Sequence, residues 1–216
     1  MPGAAERRLP VSDVDLAHVD LAIAALAVAT AIALRPWRAV RDAGPPWSWV
    51  LVWAMLPLWW SMDRQLGVAA LPPLSGAALL VLMTGWALAV LVCVPISLIA
   101  VLGGPLDAYD ALHRAVWLGI VPATIALAVG GVVRRWLPVH VGVYVFVRGF
   151  IGSGVAVWLA GALGDAVASP ATADMGVARL LMALGEAAIT GAIVTLLVAH
   201  RPEALATYSD RMYLAK

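Results

Sequence analysis

The chain has 216 residues, of which 63% are hydrophobic and 12% charged, with a formal net charge of +1. Soluble domains carry about 25% charged and about 45–50% apolar residues, so this composition excludes an ordinary soluble domain and reads as an all-α polytopic membrane protein. No basic arm or aromatic-interleaved basic patch points to nucleic acid, and the single cysteine, Cys93 in an apolar run, excludes an intrachain disulfide.

The N-terminus does not read as a cleaved signal. Arg7 and Arg8 come first, but Asp13, Asp15 and Asp20 interrupt the approach to the apolar run, which ends in "RPWR" rather than a small-residue cleavage site. The run is therefore expected to be a retained first span, about Ala17–Leu34. It is Ala-rich, and Ala25, Ala29 and Ala33 recur four apart, a small-residue stripe suited to close helix docking. The second span is about Pro46–Met62, with Trp47 and Trp49 at one end and Trp59 and Trp60 at the other, as interfacial belts would have them. The third is about Leu66–Met83, with Pro72 and Pro73 near its start, and the fourth is about Gly85–Leu102, with Pro95 inside. These two are short for a bilayer and share the break "TGW", so a broken or re-entrant hairpin is the alternative to two spans.

The joint "GGPLDAYDALHR" leads to a fifth span, about Ala115–Val133, closed by "RRWLP". The sixth is about Val139–Leu163, and "GDAVASPATADM" leads into the seventh, about Gly176–Ala199. Seven spans are expected, within a range of six to eight, forming one integral membrane domain over residues 1–216. Residues 1–16 would be an extracytoplasmic segment and 203–216 a cytoplasmic tail. With seven spans one side receives Arg35, Arg38, Arg41, Arg134, Arg135, Arg201, Arg211 and Lys216, and the other Arg7, Arg8, Arg64 and Arg114. Arg-rich short loops face the cytoplasm, so the N-terminus is expected outside and the C-terminus inside, in a multi-pass protein of the inner (plasma) membrane.

Two ionisable residues sit deep in spans: Arg148 in "VYVFVRGFIGSG" and Glu186 in "LLMALGEAAITGAIVTLLVAH". An isolated charge at the bilayer centre costs on the order of 2.5–3.5 kcal/mol or more. Both count about ten residues into their predicted spans, from opposite ends of antiparallel neighbours, so the economical expectation is that they pair near the midplane. Arg179, seven residues before Glu186 and nearer the surface, is expected to snorkel.

The segment "GEAAITGAIVTLLVAHRPEALATYSDRMYL" resembles the C-terminal end of energy-coupling-factor transporter permeases of the CbiM-like cobalt and nickel uptake class. It is closest to a branch known only as predicted integral membrane proteins. The residues that carry the likeness are Gly185, Glu186, Thr190, Gly191, Arg201, Pro202, Tyr208, Asp210, Arg211 and Tyr213. "LPVHVGVYVFVRGF" and "LSGAALLVLMTGWALAVL" look like further family segments, and the likeness spans roughly Arg35 to Leu214. It implies a membrane subunit that captures a transition-metal ion outside and works with a coupling subunit and ATPase subunits inside. Two departures matter. Metal-binding members begin Met-His-Ile-Pro-Asp-Gly, whereas this chain begins Met1, Pro2, Gly3, and Pro73 stands where a second family histidine precedes Leu74, Ser75 and Gly76. The family's ligands therefore do not carry over. The alternatives are a member with a moved site, one with another cargo, or a non-transporting accessory protein of related fold.

A moved site would use outer-side residues. Beside Asp13, Asp15, His18 and Asp20 stands the joint with Asp107, Asp110 and His113, and imidazole with carboxylates suits a divalent first-row ion. His18, His113, Asp110 and Asp107 are thus the expected ligands of a transition-metal cargo, with no covalently bound cofactor. No catalytic residue is expected. Ser153 in "GFIGSG" lacks the glycine two positions earlier that a rhomboid-like nucleophile motif needs, since Ile151 stands there, and the chain has no phosphate-binding loop of its own.

Overall fold

The computed structural model describes residues 13–40, 44–67, 73–103, 106–168, 173–209 and 213, and among them the fold is helical throughout, with no strand. A chain this apolar must satisfy its backbone groups within itself when surrounded by hydrocarbon, and helices do so locally. The elements are α1 (Asp13–Ala33), α2 (Trp47–Trp60), α3 (Met62–Leu66), α4 (Ala77–Thr84), α5 (Trp86–Leu102), α6 (Ala108–Arg114), α7 (Val121–Trp136), α8 (Gly152–Ala168) and α9 (Ala173–His200). Wider π-helical segments at Ala115–Ile120 and Val143–Ile151 lead into α7 and α8, and single 3-10 turns lie at Pro36–Ala39 and Pro202–Ala204.

Among the described residues four helices are long and apolar enough to cross a membrane: Leu16–Ala33, Ala108–Trp136, Val143–Val167 and Gly176–His200. The protein is therefore a helical membrane protein; beside these four helices α5, of 17 residues, is a shorter apolar one among the described residues. Two differences from the expected spans have local causes. The second half of the "GGPLDAYDALHR" joint is helical: the Asp107 carboxylate accepts from the Asp110 N–H at 2.8 Å as an N-cap. From there α6, a π segment and α7 run as one helix of 29 residues. The third predicted span shrinks to the eight residues of α4, about 12 Å long and less than half the hydrocarbon thickness of about 30 Å.

Every residue of α4 is buried. Glycine bounds it at both ends, with Gly76 at φ 66° and Gly85 at φ 80°, conformations that other residues adopt at a cost. It packs between α5 and α7 and also touches α2, α8 and α9. Its last carbonyls are met by the C-terminal tail. The Thr207 hydroxyl and N–H donate to the Leu82 carbonyl at 2.9 and 3.3 Å, and the Ala206 N–H donates to that of Met83 at 2.9 Å. Tyr208 and Tyr213 stack 5.1 Å apart, each edge-on to Tyr144, and hold the tail in place.

The start of α4 is held by its neighbours. Ser75 donates its hydroxyl to the Leu118 carbonyl at 2.7 Å, and the Trp60 indole donates to the Ser75 carbonyl at 3.0 Å. The Leu118 carbonyl is available because Pro122, four residues on, has no N–H to give it. Trp60 is wholly buried, and Trp49, also buried, donates to the Ala204 carbonyl at 2.7 Å. These two indoles are core fasteners rather than the interfacial belt expected, whereas Trp47 is exposed.

On α1 the expected Ala25, Ala29 and Ala33 stripe faces outward and is exposed. Docking uses Asp20, Ala24, Ala27 and Ala31, displaced about 100° round the helix, with Ala31 packed against Val90 and Ile120. The helix is Ala-rich on several faces, so spacing alone did not select the right one; the buried carboxylate of Asp20 marks it.

Gly76 gives a direct test of this architecture. A β-carbon built there lies 2.5 Å from Leu56 Cδ2, in a backbone conformation that already disfavours it. Gly76→Ala is expected to destabilise the protein by more than about 1 kcal/mol, seen as a lower thermal midpoint in detergent, whereas Gly131→Ala, with open space around it, is expected to leave the midpoint unchanged or raise it.

Candidate functional site

Glu186 lies near the middle of α9 with 2% of its surface exposed. Its Oε1 accepts from the Gly76 N–H at 2.7 Å and its Oε2 from the Ser75 N–H at 3.0 Å. The carboxylate thus sits on the N-terminus of α4, where orphan amides and the positive end of the helix dipole converge. Two oxygens meeting two amides is the arrangement that makes a helix N-terminus a carboxylate site, and here the occupant is a side chain of the same protein.

The expected pairing of Arg148 with Glu186 does not form. The reason is register. Arg148 stands twenty residues before Ala168, the end of α8, and Glu186 thirteen after Ala173, the start of α9. In an antiparallel hairpin that difference of seven residues separates them by about 10 Å along the axis. Gly154 instead faces Ala187, and Gly149 faces Val194. Arg148 is engaged by the tail: its Nη1 is 3.4 Å from the Tyr213 hydroxyl, and its guanidinium lies 5.2 Å from the centre of the Tyr144 ring.

Towards the end of the bundle where α1 and α9 begin, a cavity of about 170 Å³ opens beside Ser75. His113, Trp117, Asp165, Arg179 and Met182 contribute its polar and polarisable lining. Arg179 does not reach out to the interface as expected; it is ion-paired with Asp165. Its stem lies against Gly161, where a β-carbon would stand 3.1 Å from Cδ, and the Trp117 ring lies against Gly164 at 3.2 Å from such an atom. The two glycines three apart on α8 make one flat wall for both side chains. Asp20, 2% exposed, accepts from the Trp117 indole at 2.8 Å and contacts His113 Nδ1 at 2.7 Å. The carboxylate from α1 thereby orients two residues of the cavity wall.

The same end carries two further ion pairs. Arg114 donates to both oxygens of Asp63, at 2.7 and 2.8 Å, and also to the Trp60 carbonyl. Arg64 donates to Asp110 at 2.6 Å. The Arg114 guanidinium, through these bonds, holds the Asp63 carboxyl below its usual range.

The expected metal ligands do not assemble. Asp107 caps α6, Asp110 pairs with Arg64, His113 turns to Asp20, and His18 is exposed on α1. Among the described residues no three of His, Cys, Asp and Glu come together as a metal ion requires. A backbone amide occupies the Asp107 carboxylate and an arginine that of Asp110. The side chains of Asp13 and Asp15 lie outside the described residues, as do Met1, Pro2 and Gly3. Sequence reading passed over Asp165 and Trp117, whose only signals were a charge beside a glycine and an indole one turn after His113. Ser153, the one residue weighed as a nucleophile, is buried and donates its hydroxyl to the Gly149 carbonyl at 2.8 Å.

Comparison with family models, curated proteins and solved structures finds no match.

Two measurements follow. Glu186→Gln leaves one amide of the α4 terminus facing an NH₂ group, and the folded protein is expected to lose about 1–3 kcal/mol. Adding Arg148→Gln to it should cost the sum of the separate losses to within about 0.5 kcal/mol in a double-mutant cycle; a larger coupling would show that the two charges communicate. The second concerns acid. The folded-state value of Asp63 is lowered, so its contribution is present above the unfolded carboxyl value, about 3.9, and is lost as pH falls through the lower folded value. Below about pH 4 the Asp63→Asn protein should therefore show a shallower fall of thermal midpoint than the wild type.

Proposed function

We propose that the protein is the membrane-embedded capture subunit of an energy-coupling-factor type transporter, taking a small cargo into the cavity beside Ser75. Nickel and cobalt are the cargoes to test first, and coupling and ATPase subunits would engage the opposite face. The observation that carries this reading is the discontinuous helix. A half-helix ending inside the bundle, with its N-terminus beside a cavity lined by charged side chains, is the arrangement by which membrane transporters build midplane sites. The resemblance of the tail supports it, because Glu186, Tyr208 and Tyr213, which carry that resemblance, hold the two ends of α4 in place. The orientation, N-terminus outside in the plasma membrane, rests on the arginine asymmetry and puts the cavity on the outer side.

A second reading is favoured by one observation: the described histidines and carboxylates make no ligand cluster. On that reading the protein keeps the fold as an accessory subunit without cargo. Uptake separates the two. Cells expressing the protein with its coupling partners should accumulate radiolabelled nickel or cobalt above a deletion strain. Gly161→Leu, which fills the cavity wall, should abolish the excess while the protein remains in the membrane fraction. Equal accumulation in the deletion strain, for both ions, would favour the accessory reading.

A further inference from the structure

The two ends of the bundle treat their arginines differently. At the cavity end Arg64, Arg114 and Arg179 each have a carboxylate partner. At the other end Arg201 meets Glu203 at 3.7 Å, but Arg134 and Arg135, which close α7, are exposed. Among the described residues no carboxylate lies within 4.0 Å of Arg134, Arg135 or Arg148. Arg134 and Arg148 line one shared recess with Leu137, Pro138, Val139 and Tyr144. Its volume is about 10 Å³, room for a single water-sized group, so a larger ligand must sit at the mouth and insert one atom. The Arg148 Nε, beside Gly130, is buried without a hydrogen-bond partner. Of the residues lining the recess Leu137 and Val139 are exposed, at 40% and 50%, and so is Trp136, next to Leu137 in the chain, at 75%; together they offer apolar surface to hydrocarbon.

Two guanidinium groups at the end of α7 and a third inside the Val143–Ile151 segment, with no carboxylate partner among the described residues and with exposed apolar side chains nearby, suit an anion that carries hydrocarbon of its own. We propose that this corner between α7 and the start of the Val143–Ile151 segment is a binding site for an anionic phospholipid. Arg134 and Arg135 receive its phosphate, one phosphate oxygen points into the recess towards Arg148, and the acyl chains run along Trp136, Leu137 and Val139. Basic pockets between membrane helices are suited to such headgroups, and the planar guanidinium suits phosphate geometry. The site is separate from the cavity beside Ser75, so it stands or falls independently of the transport reading.

The test uses the full chain. Protein purified from membranes in mild detergent is exchanged into nanodiscs of phosphatidylcholine, with or without phosphatidylglycerol. Retained lipid is counted by native mass spectrometry and thermal midpoints are recorded. The wild type should retain phosphatidylglycerol and melt at a higher temperature in its presence. Arg134→Gln with Arg135→Gln, both exposed positions, should weaken retention about 25-fold, roughly five-fold for each charge. Arg35→Gln with Arg38→Gln, exposed cations near the end of α1, should leave it unchanged. Retention by the Arg134/Arg135 variant equal to wild type would overturn the site. So would an equal loss in the Arg35/Arg38 variant, which would mean a diffuse surface-charge effect. Stabilisation in pure phosphatidylcholine by millimolar inorganic phosphate, matching that by phosphatidylglycerol, would overturn the lipid as occupant in favour of a free anion. The wild type alone supplies a check that needs no variant: identical melting in neutral and anionic discs would also sink the proposal.

Discussion

A helix that stops inside a bilayer leaves amides at one end and carbonyls at the other with no water to meet them, at a cost of several kcal/mol for each group left unmet. The arrangement of this protein follows from meeting that demand for α4. Glu186 answers the amides from the middle of α9, and the tail answers the carbonyls through Ala206 and Thr207. Neither could be supplied locally. The chain before α4 is held by Trp60 and Leu118, and the residue after it is a glycine in a conformation that starts α5 at once. The half-helix therefore ties together segments more than a hundred residues apart, and the Glu186 carboxylate serves as a structural counterpart to backbone dipoles rather than to an arginine.

The charge layout divides the molecule along the same axis. At the cavity end every described arginine is paired, and the pairs join different helices: α3 to α6, and α8 to α9. Such pairs resist sliding of one helix past its neighbour, which keeps the walls of the cavity in register. At the other end Arg134 and Arg135 face outward and Arg148 lies over Tyr144, with no carboxylate within 4.0 Å of the three among the described residues, while Arg201 meets Glu203 at 3.7 Å. An excess of arginine at one end is what a bilayer with one anionic face selects.

Proline and glycine do much of the shaping, and each acts through a particular neighbour. Pro122 strips the Leu118 carbonyl of its helical donor, and that carbonyl is the one Ser75 uses. Gly161 and Gly164 remove the β-carbons that would collide with Arg179 and Trp117, so the cavity lining can lie flat on α8. Gly119 does the same for Cys93, whose sulfur would stand 2.7 Å from a β-carbon there, and so fixes the approach of α5 to the Ala115–Ile120 segment. These are close-contact roles, and no periodicity announces them.

Composition and apolar run length by themselves determined that this is a helical membrane protein, because a long uninterrupted apolar run satisfies its own backbone in hydrocarbon only as a helix, whereas barrel strands are short and alternate. They also marked Glu186 and Arg148 as costly residues needing partners, and the break at "TGW" as a place where a helix could fail to cross. Which partners those residues found was decided only by the tertiary structure. Counting residues inward from predicted span ends put Arg148 and Glu186 at one depth, but those ends were uncertain by more than a helical turn, and a shift of seven residues separates them by about 10 Å. The docking face of α1 was hidden for a related reason: alanine on every side makes faces indistinguishable until Asp20 finds His113 and Trp117. Run length follows from local chemistry. A carboxylate's choice between an arginine and a pair of amides depends on which arrives within 3 Å, and only the packing of distant segments settles that.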